Sequence, residues 1–198
     1  NYFAEVYALG MYFNEQELAN VDTQLNVRLA GATALATRMR LKREQDWIAT
    51  YFAPGVWTTN YNGVATAPTA GQVIRWDSFD TSTPVEDVTK AKTAMYLASG
   101  GAASYTDIVA VMTQDVYDVL INHPAIIARM NGGSTVTNTT LITKAKLAEV
   151  FGVAEILIPR AIGNTGKEGL ADNHGFLVKN RFGLFARPKN PGIMTPAS

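Results

Sequence analysis

The feature that most constrains this chain is a run of about thirty residues, 22–52, that contains no proline and a single glycine, Gly31. Most of its positions carry good helix formers such as Ala, Leu, Arg, Lys and Glu. Asp22 is suited to cap it, because its carboxylate can accept from the free amides of the first turn. Pro54 and Gly55 end it. At about 1.5 Å per residue this helix would span roughly 45 Å, longer than a compact domain of this size needs. The sequence therefore predicts a spine helix over residues 22–52.

One stripe of the spine helix is apolar. Its members recur at three- and four-residue steps: Leu25, Leu29, Ala32, Ala36 and Met39. Residues spaced in this way fall on one face of a helix. We expect this face to be covered.

A basic cluster follows the stripe at Arg38, Arg40, Lys42 and Arg43. On a helix these side chains spread around the cylinder, which favours a solvated or subunit-facing surface over a phosphate-binding one. Glu44 lies four residues after Arg40, so we expect an intrahelical ion pair between them.

The composition excludes several classes of protein. Of the 198 residues, 47% are hydrophobic, which is enough for an ordinary core. Seventeen basic and seventeen acidic residues give zero net charge, a poor basis for gripping nucleic acid electrostatically. The absence of cysteine excludes disulfides, thiol catalysis and thiolate zinc sites. No membrane span or signal peptide is recognisable. Because the chain begins with Asn1, we expect a fragment or a processed chain.

The remaining elements predict an α+β chain in two lobes. Asn62-Gly63 tolerates positive φ and favours a β-hairpin between residues 56–61 and 64–66. Thr83-Pro84 has the form of a helix start, and Ile108–Met112 is a candidate buried strand. Residues 175–178 and 182–186 are predicted to form a strand pair.

Sequence motifs for chemistry are weak. Residues 163–167 resemble a phosphate-binding loop, but Ala161 replaces its first glycine and Glu168 replaces the hydroxyl that binds magnesium. His123 and His174 lack further ligands at metal-site spacing and are best interpreted as turn or boundary residues. We therefore predict no catalytic, cofactor or metal residues and no enzymatic activity.

The three tryptophans, Trp47, Trp57 and Trp76, bracket the predicted hairpin region. Tryptophan usually serves a core, but it also anchors subunit interfaces. Together with a helix too long for its own core, these residues suggest a protein that buries its surface against copies of itself. The candidate assembly residues are Arg40, Arg43, Glu44, Trp47, Trp57 and Trp76.

Four stretches of the chain, in order, resemble the major capsid proteins of tailed bacteriophages, which have the Hong Kong 97-type capsid fold. They are LKRE…YF…GVW at 41–57, WD…STPVEDV…AK at 76–92, IV…V…L…HPAI…R at 108–129, and LAEVFGVAEILI…A…NT…EG at 147–169. The resemblance implies a peripheral domain at 1–77, which includes the end of an extended loop, the spine helix and the hairpin. It also implies an axial domain at 78–181 and a return toward the peripheral domain at 182–198. The family's N-terminal arm and a last strand would lie outside this sequence.

The function implied by the resemblance is structural. Pentamers and hexamers of the chain would close into an icosahedral shell around packaged double-stranded DNA, without reading its sequence and without a membrane. The protein would be made in the bacterial host cytoplasm and reside in the virion, with portal, scaffolding and cement proteins as candidate partners. Two alternatives remain open: an encapsulin-type nanocompartment shell of the same fold, and a small nucleotide-binding α/β enzyme that uses residues 163–167.

Overall fold

The computed structural model describes residues 6–20, 26–57, 59–131, 142–164, 166–167 and 169–188. Helices and small sheets are both present, in agreement with the α+β prediction. The chain divides into two compact units, residues 1–53 and 54–198. The boundary coincides with the Pro54-Gly55 stop that follows the spine helix. The assignment of 1–77, 78–181 and 182–198 to named domains stays a prediction.

The first unit contains two helices, α1 (Glu15–Asn20) and α2 (Val27–Tyr51). The predicted Asp22 cap lies outside the described residues, and the helix begins later than predicted. Asn26 is the cap, and its side-chain oxygen accepts from the amide of Leu29 at 3.0 Å. An asparagine satisfies an otherwise unpaired first-turn amide as well as an aspartate does. With 25 residues, α2 is about 38 Å long.

The second unit contains the remaining elements. Its helices are α3 (Pro84–Ala98), α4 (Gln114–Ile121), α5 (Pro124–Met130) and α6 (Lys144–Phe151). Its strands are β1 (Asn62–Val64), β2 (Gln72–Ile74), β3 (Ile108–Met112), β4 (Glu155–Leu157), β5 (Ile162–Asn164), β6 (His174–Phe176) and β7 (Phe182–Ala186).

The core of the second unit is a three-stranded sheet in the order β4-β3-β7. Strand β3 is buried along its whole length, as its apolar run predicts. It pairs parallel with β4 and antiparallel with β7. Alternate β3 side chains, Ile108, Ala110 and Met112, join one apolar cluster with residues of α3, α4, α5 and α6. The four helices therefore share a core with one face of this sheet.

The predicted β-hairpin around Asn62-Gly63 is wrong. These residues belong to strand β1, which pairs parallel with β2. The connection between the two strands loops back to the start of β1, and Ala67 and Gly71 in it adopt positive φ of 50° and 79°. The Gln72 side chain holds this turn by accepting from both the amide and the hydroxyl of Thr69. The Asn-Gly pair favours a tight turn locally, but glycine adopts the extended conformation equally well.

The predicted pairing of residues 175–178 with 182–186 is also wrong. Both strands exist, but β6 pairs antiparallel with β5, and β7 pairs with β3. Strand β7 is almost entirely apolar and half-buried. Pairing with the buried β3 covers more of this apolar surface than pairing with the exposed β6 would.

Candidate functional site

The open face of α2 is its apolar stripe. Gly31 is the only buried residue of this helix. Leu29 is 64% exposed and Met39 is 39% exposed, and the Ala32 and Ala36 side chains between them are also exposed. Contrary to the expectation that this face would be covered, no other described part of the first unit covers it. A helix of seven turns that leaves its apolar face in water is incomplete as an isolated element.

The N-terminal segment, residues 6–13, lies on a different face of α2. Met11 and Phe13 contact Gly31, whose missing side chain leaves room for the Phe13 ring. At 100° per residue, Gly31 lies about 160° from Leu29 and about 80° from Met39 around the helix, so this contact lies outside the apolar stripe. Further along the helix, the ammonium of Lys42 lies 4.8 Å from the ring centre of Tyr7. The segment therefore runs antiparallel to α2.

Exposure along this segment alternates. Tyr7, Leu9 and Met11 are 42–48% exposed, whereas Val6 and Tyr12 are 93% and 88% exposed. A period of two residues is typical of an extended chain that lies on a surface. The segment therefore covers one side of α2 and leaves the stripe of Leu29 and Met39 open.

Arg40 and Arg43 are both exposed, and Glu44 is half-buried. The expected ion pair between Arg40 and Glu44 is not formed within the described chain. Instead, Lys42 pairs with Asp46 at 2.7 Å, also four residues apart. The contact of Lys42 with Tyr7 helps to hold its side chain in place. An exposed pair such as Arg40–Glu44 would gain only about 0–1 kcal/mol.

Trp47 lies near the end of α2 and is partly buried. Its ring stacks on Phe52 with 5.8 Å between ring centres, and it lies 6.3 Å from the ring of Tyr51. Phe52 itself is buried. This aromatic cluster gives the helix end a rigid apolar surface.

Trp57 and Trp76 contact opposite faces of strand β7. Trp57, 37% exposed, meets Phe185 edge-on at 5.8 Å. Trp76 meets Phe182 edge-on at 5.0 Å, and its indole N–H donates to Asp87 at 3.0 Å. Phe182 and Phe185 are three positions apart on a strand, so their side chains point to opposite faces. Trp76 packs against the core of its own unit, whereas Trp57 is the more accessible of the two.

His123 is fully buried, and both of its ring nitrogens have partners. Nδ1 accepts from the amide of Ala125 at 3.2 Å, which makes His123 the cap of α5. Nε2 therefore carries the proton and donates to the hydroxyl of Ser82 at 2.9 Å. That hydroxyl donates in turn to the carbonyl of Ser78 at 2.7 Å. Burial lowers the pKa of His123. The interpretation of this residue as a satisfied boundary histidine is confirmed.

Lys92 is a buried cation that the sequence analysis missed. Its ammonium donates to the carbonyls of Phe151 and Gly152, at 2.5 and 3.0 Å, at the C-terminus of α6. A cation is favourable at this negative end of the helix dipole. Burial lowers the pKa of Lys92. The available signal was its spacing, since it lies four residues after Val88 and shares the buried face of α3.

Features that support small-molecule chemistry are sparse in the described residues. One cavity of about 310 Å³ is lined by Thr106, Asp107, Val109, Ala154, Arg187 and Pro188. Its one guanidinium, on Arg187, already pairs with Glu155 at 3.2 Å. Within the described ranges, no three His, Asp or Glu side chains are grouped to hold a metal ion. No described helix is both long and apolar enough to span a membrane.

The segment that resembles a phosphate-binding loop lies between two paired strands. Gly163 is in β5, which pairs with β6, and Lys167 is exposed in the connection between them. A phosphate-binding loop instead leads into a helix, whose N-terminal amides hold the phosphate. The described part of this connection contains no helix.

Comparison with known proteins gives likenesses among solved structures alone. No protein-family model matches the chain, and no curated protein matches it. Among solved structures, the chain is similar to a phage-related protein from Bordetella bronchiseptica RB50, with a TM-score of 0.60 and 21% sequence identity. The likeness covers 84% of this chain and 47% of that one, so the chain spans about half the length of this structure. At 21% sequence identity, this structural likeness shows a shared fold alone.

Proposed function

We propose that this chain is part of the major capsid protein of a tailed double-stranded DNA phage, with the Hong Kong 97-type fold. Many copies would form the pentamers and hexamers of an icosahedral shell that encloses the genome. In this proposal residues 1–77 belong to the peripheral domain, 78–181 to the axial domain, and 182–198 return toward the peripheral domain. The phage-related protein that shares the fold supports a phage origin.

The observation that carries the proposal is the open face of α2. Leu29, Ala36 and Met39 form a continuous apolar stripe in solvent on a 25-residue helix. Covering such a surface gains about 25 cal/mol for each Å² of apolar area removed from water. In a closed shell every copy is covered by its neighbours, so many modest interfaces add to a stable assembly.

The zero net charge of the chain fits this role. A shell lining that held DNA tightly through phosphate contacts would oppose both packing and release. The packaged DNA is therefore enclosed rather than bound in a sequence-specific manner. The protein would reside in the virion after synthesis in the bacterial cytoplasm.

The test is negative-stain electron microscopy of the full-length protein, together with its mass in solution. We expect closed shells with diameters on the order of tens of nanometres, because each shell joins many copies through such interfaces. DNA inside the shells supports a capsid, whereas an enzyme cargo would identify a nanocompartment. A monomer or dimer at every concentration would refute a shell protein of either kind.

A matched pair of variants ties this test to α2. Ala36→Asp places a charge on the apolar stripe, and Thr37→Asp places the same charge on the neighbouring exposed position, about 100° away. Both sites are exposed, so neither substitution should lower the free energy of unfolding of the monomer by more than about 0.5 kcal/mol. We expect Ala36→Asp to prevent shell formation and Thr37→Asp to allow it.

A further inference from the structure

The open face of α2 is not purely apolar. At 100° per residue, Arg40 and Arg43 continue the line of Leu29 and Ala36 toward Trp47. Both guanidinium groups are exposed, and neither forms an ion pair within the described chain. The face thus combines apolar side chains with two cations that have no carboxylate partner here.

The second unit carries a surface of the opposite character. Phe79 is 43% exposed, and Asp80 follows it directly in the turn before α3. Glu86 is exposed in the first turn of that helix. In contrast to Asp77, which pairs with Arg75, neither Asp80 nor Glu86 forms an ion pair with a described residue. These three residues lie within eight positions of one another along the chain, and we call Phe79, Asp80 and Glu86 the acidic patch.

The segment that bears the acidic patch is firmly held. Ser82 accepts from the buried His123, and Asp87, next to Glu86, accepts from the Trp76 indole. The ring of Phe79 meets the His123 ring edge-on at 5.5 Å. A patch held in one conformation loses little entropy when it binds, which favours a specific contact.

We infer that the acidic patch of one copy binds the open face of α2 on a second copy, through Arg40 and Arg43. This inference rests on the proposed function and names one contact within the shell. Opposite charges at two positions fix the register of the contact, while Phe79 covers part of the apolar stripe. The two surfaces differ, so the contact is head-to-tail, the kind that closes rings or extends an assembly.

Two other exposed apolar side chains of the second unit, Leu157 and Leu170, are less suited to this partner. The carboxylate of Glu155, beside the exposed Leu157, is already paired with Arg187. The carboxylate of Asp172, in the connection that also holds the exposed Leu170, accepts from Asn164 at 2.6 Å. Phe79 instead has two carboxylates nearby in the chain that are available to a cation.

The test is a charge exchange in the full-length protein, read by electron microscopy and by the assembled fraction in sedimentation. Arg40→Glu/Arg43→Glu should lower the assembled fraction about tenfold or more, because like charges then face each other. Asp80→Lys/Glu86→Lys should do the same. The chain that carries all four changes should assemble to within about threefold of wild type, since the attraction is restored with its sign exchanged.

The control compares two single variants of equal net charge, Arg38→Glu and Arg40→Glu, because Arg38 is exposed but lies about 160° from Arg40 around the same helix. Arg38→Glu should assemble like wild type, whereas Arg40→Glu should not. Circular dichroism of each variant confirms that the helix has formed. If wild type forms shells and Arg40→Glu/Arg43→Glu assembles equally well, the inference is overturned while the proposed function stands. Failure of the fourfold variant to recover assembly also overturns it, whereas absence of wild-type shells overturns the proposed function.

Discussion

The two units of this chain differ in how they bury their apolar side chains. In the second unit, strand β3 is buried along its length and packs with four helices into one cluster. In the first unit, a helix three times longer than α6 buries a single glycine. The second unit therefore stabilises itself, whereas α2 presents apolar side chains for which the described part of the first unit provides no cover. The comparison teaches that the apolar exposure is systematic, since Leu29, Ala36 and Met39 share one helix face.

The substitution with the largest expected effect on stability is Phe151→Ala. Phe151 is 2% exposed and packs edge-on against Phe182 between α6 and the sheet. Its loss should lower the free energy of unfolding by about 3–5 kcal/mol. The control, Leu29→Ala on α2, should change it by less than about 0.5 kcal/mol while it weakens assembly. Thermal and denaturant unfolding measure both, and equal effects would abolish the distinction between the units.

A second test breaks α2 itself. Ala36→Pro removes a helical hydrogen bond and introduces a clash in mid-helix, at a cost of about 3 kcal/mol. We expect reduced helix content in circular dichroism and no closed shells in electron microscopy. Ala36→Ser, at the same exposed position, should retain both. Normal shells from the proline variant would show that assembly does not require a continuous α2.

The third test concerns acid stability of the second unit. Burial lowers the pKa of His123 below its usual 6.5, so the neutral form is favoured in the folded state. The free energy of unfolding should therefore be fully retained above pH 6.5 and fall as the pH drops below it. Protonation at Nδ1 would also oppose the amide of Ala125, which that nitrogen caps. No carboxylate of the described chain lies within 4 Å of the ring to offset the charge.

His123→Asn should remove this pH dependence and, at neutral pH, cost about 1–3 kcal/mol, because Ser82 loses its buried donor. The matched control is His174→Asn, at the exposed start of β6. It should leave the pH dependence as it is in wild type. Unfolding curves recorded between about pH 5 and 8 provide the measurement, because histidine changes its charge in this range. An unchanged slope in His123→Asn would assign the effect to another group.

The smallest effect is expected from Gly31→Ala. Alanine improves intrinsic helix propensity by about 1 kcal/mol, but its methyl group would clash with the Phe13 ring. These effects oppose each other, so the net change in stability should be below about 1 kcal/mol. The segment 6–13 should nevertheless leave α2, and chymotrypsin should then cut faster at Tyr7 and Tyr12. Thr33→Ala, which gains propensity without this clash, should leave the cleavage rate unchanged.

Local sequence patterns predicted the α+β class and several individual elements. The apolar run of β3 and the Thr83-Pro84 helix start were both identified correctly, because each depends on a few adjacent residues. The pairing of β7 could not be predicted in this way. Its partner lies far away in the sequence, and the choice depends on which strand is more deeply buried.

The candidate site was predicted only in part. The spacing of Leu29, Ala36 and Met39 correctly identified a shared face but could not show that it stays open, since apolar spacing is the same for a core and for an interface. The i,i+4 spacing is the same for Arg40–Glu44 and Lys42–Asp46, and the contact of Lys42 with Tyr7, which is remote in sequence, could not be read from it. The cap at Asn26 could not be singled out from the sequence, because Asn and Asp side chains near a helix start are suited to cap it on nearly equal terms.

The antiparallel pairing of β3 with β7 also sets the order of events during synthesis. At about 5–20 residues per second, the ribosome completes α2 several seconds before it delivers β7. A helix forms within microseconds of its emergence, but the sheet must wait, because β3 and β7 are separated by roughly 70–80 residues whose loop has to close. The contact of Trp57 with Phe185 also forms late, since Phe185 is on β7. A nascent chain therefore exposes the apolar stripe of α2 while its own core is still open, and it is during this interval that aggregation competes most strongly with correct folding.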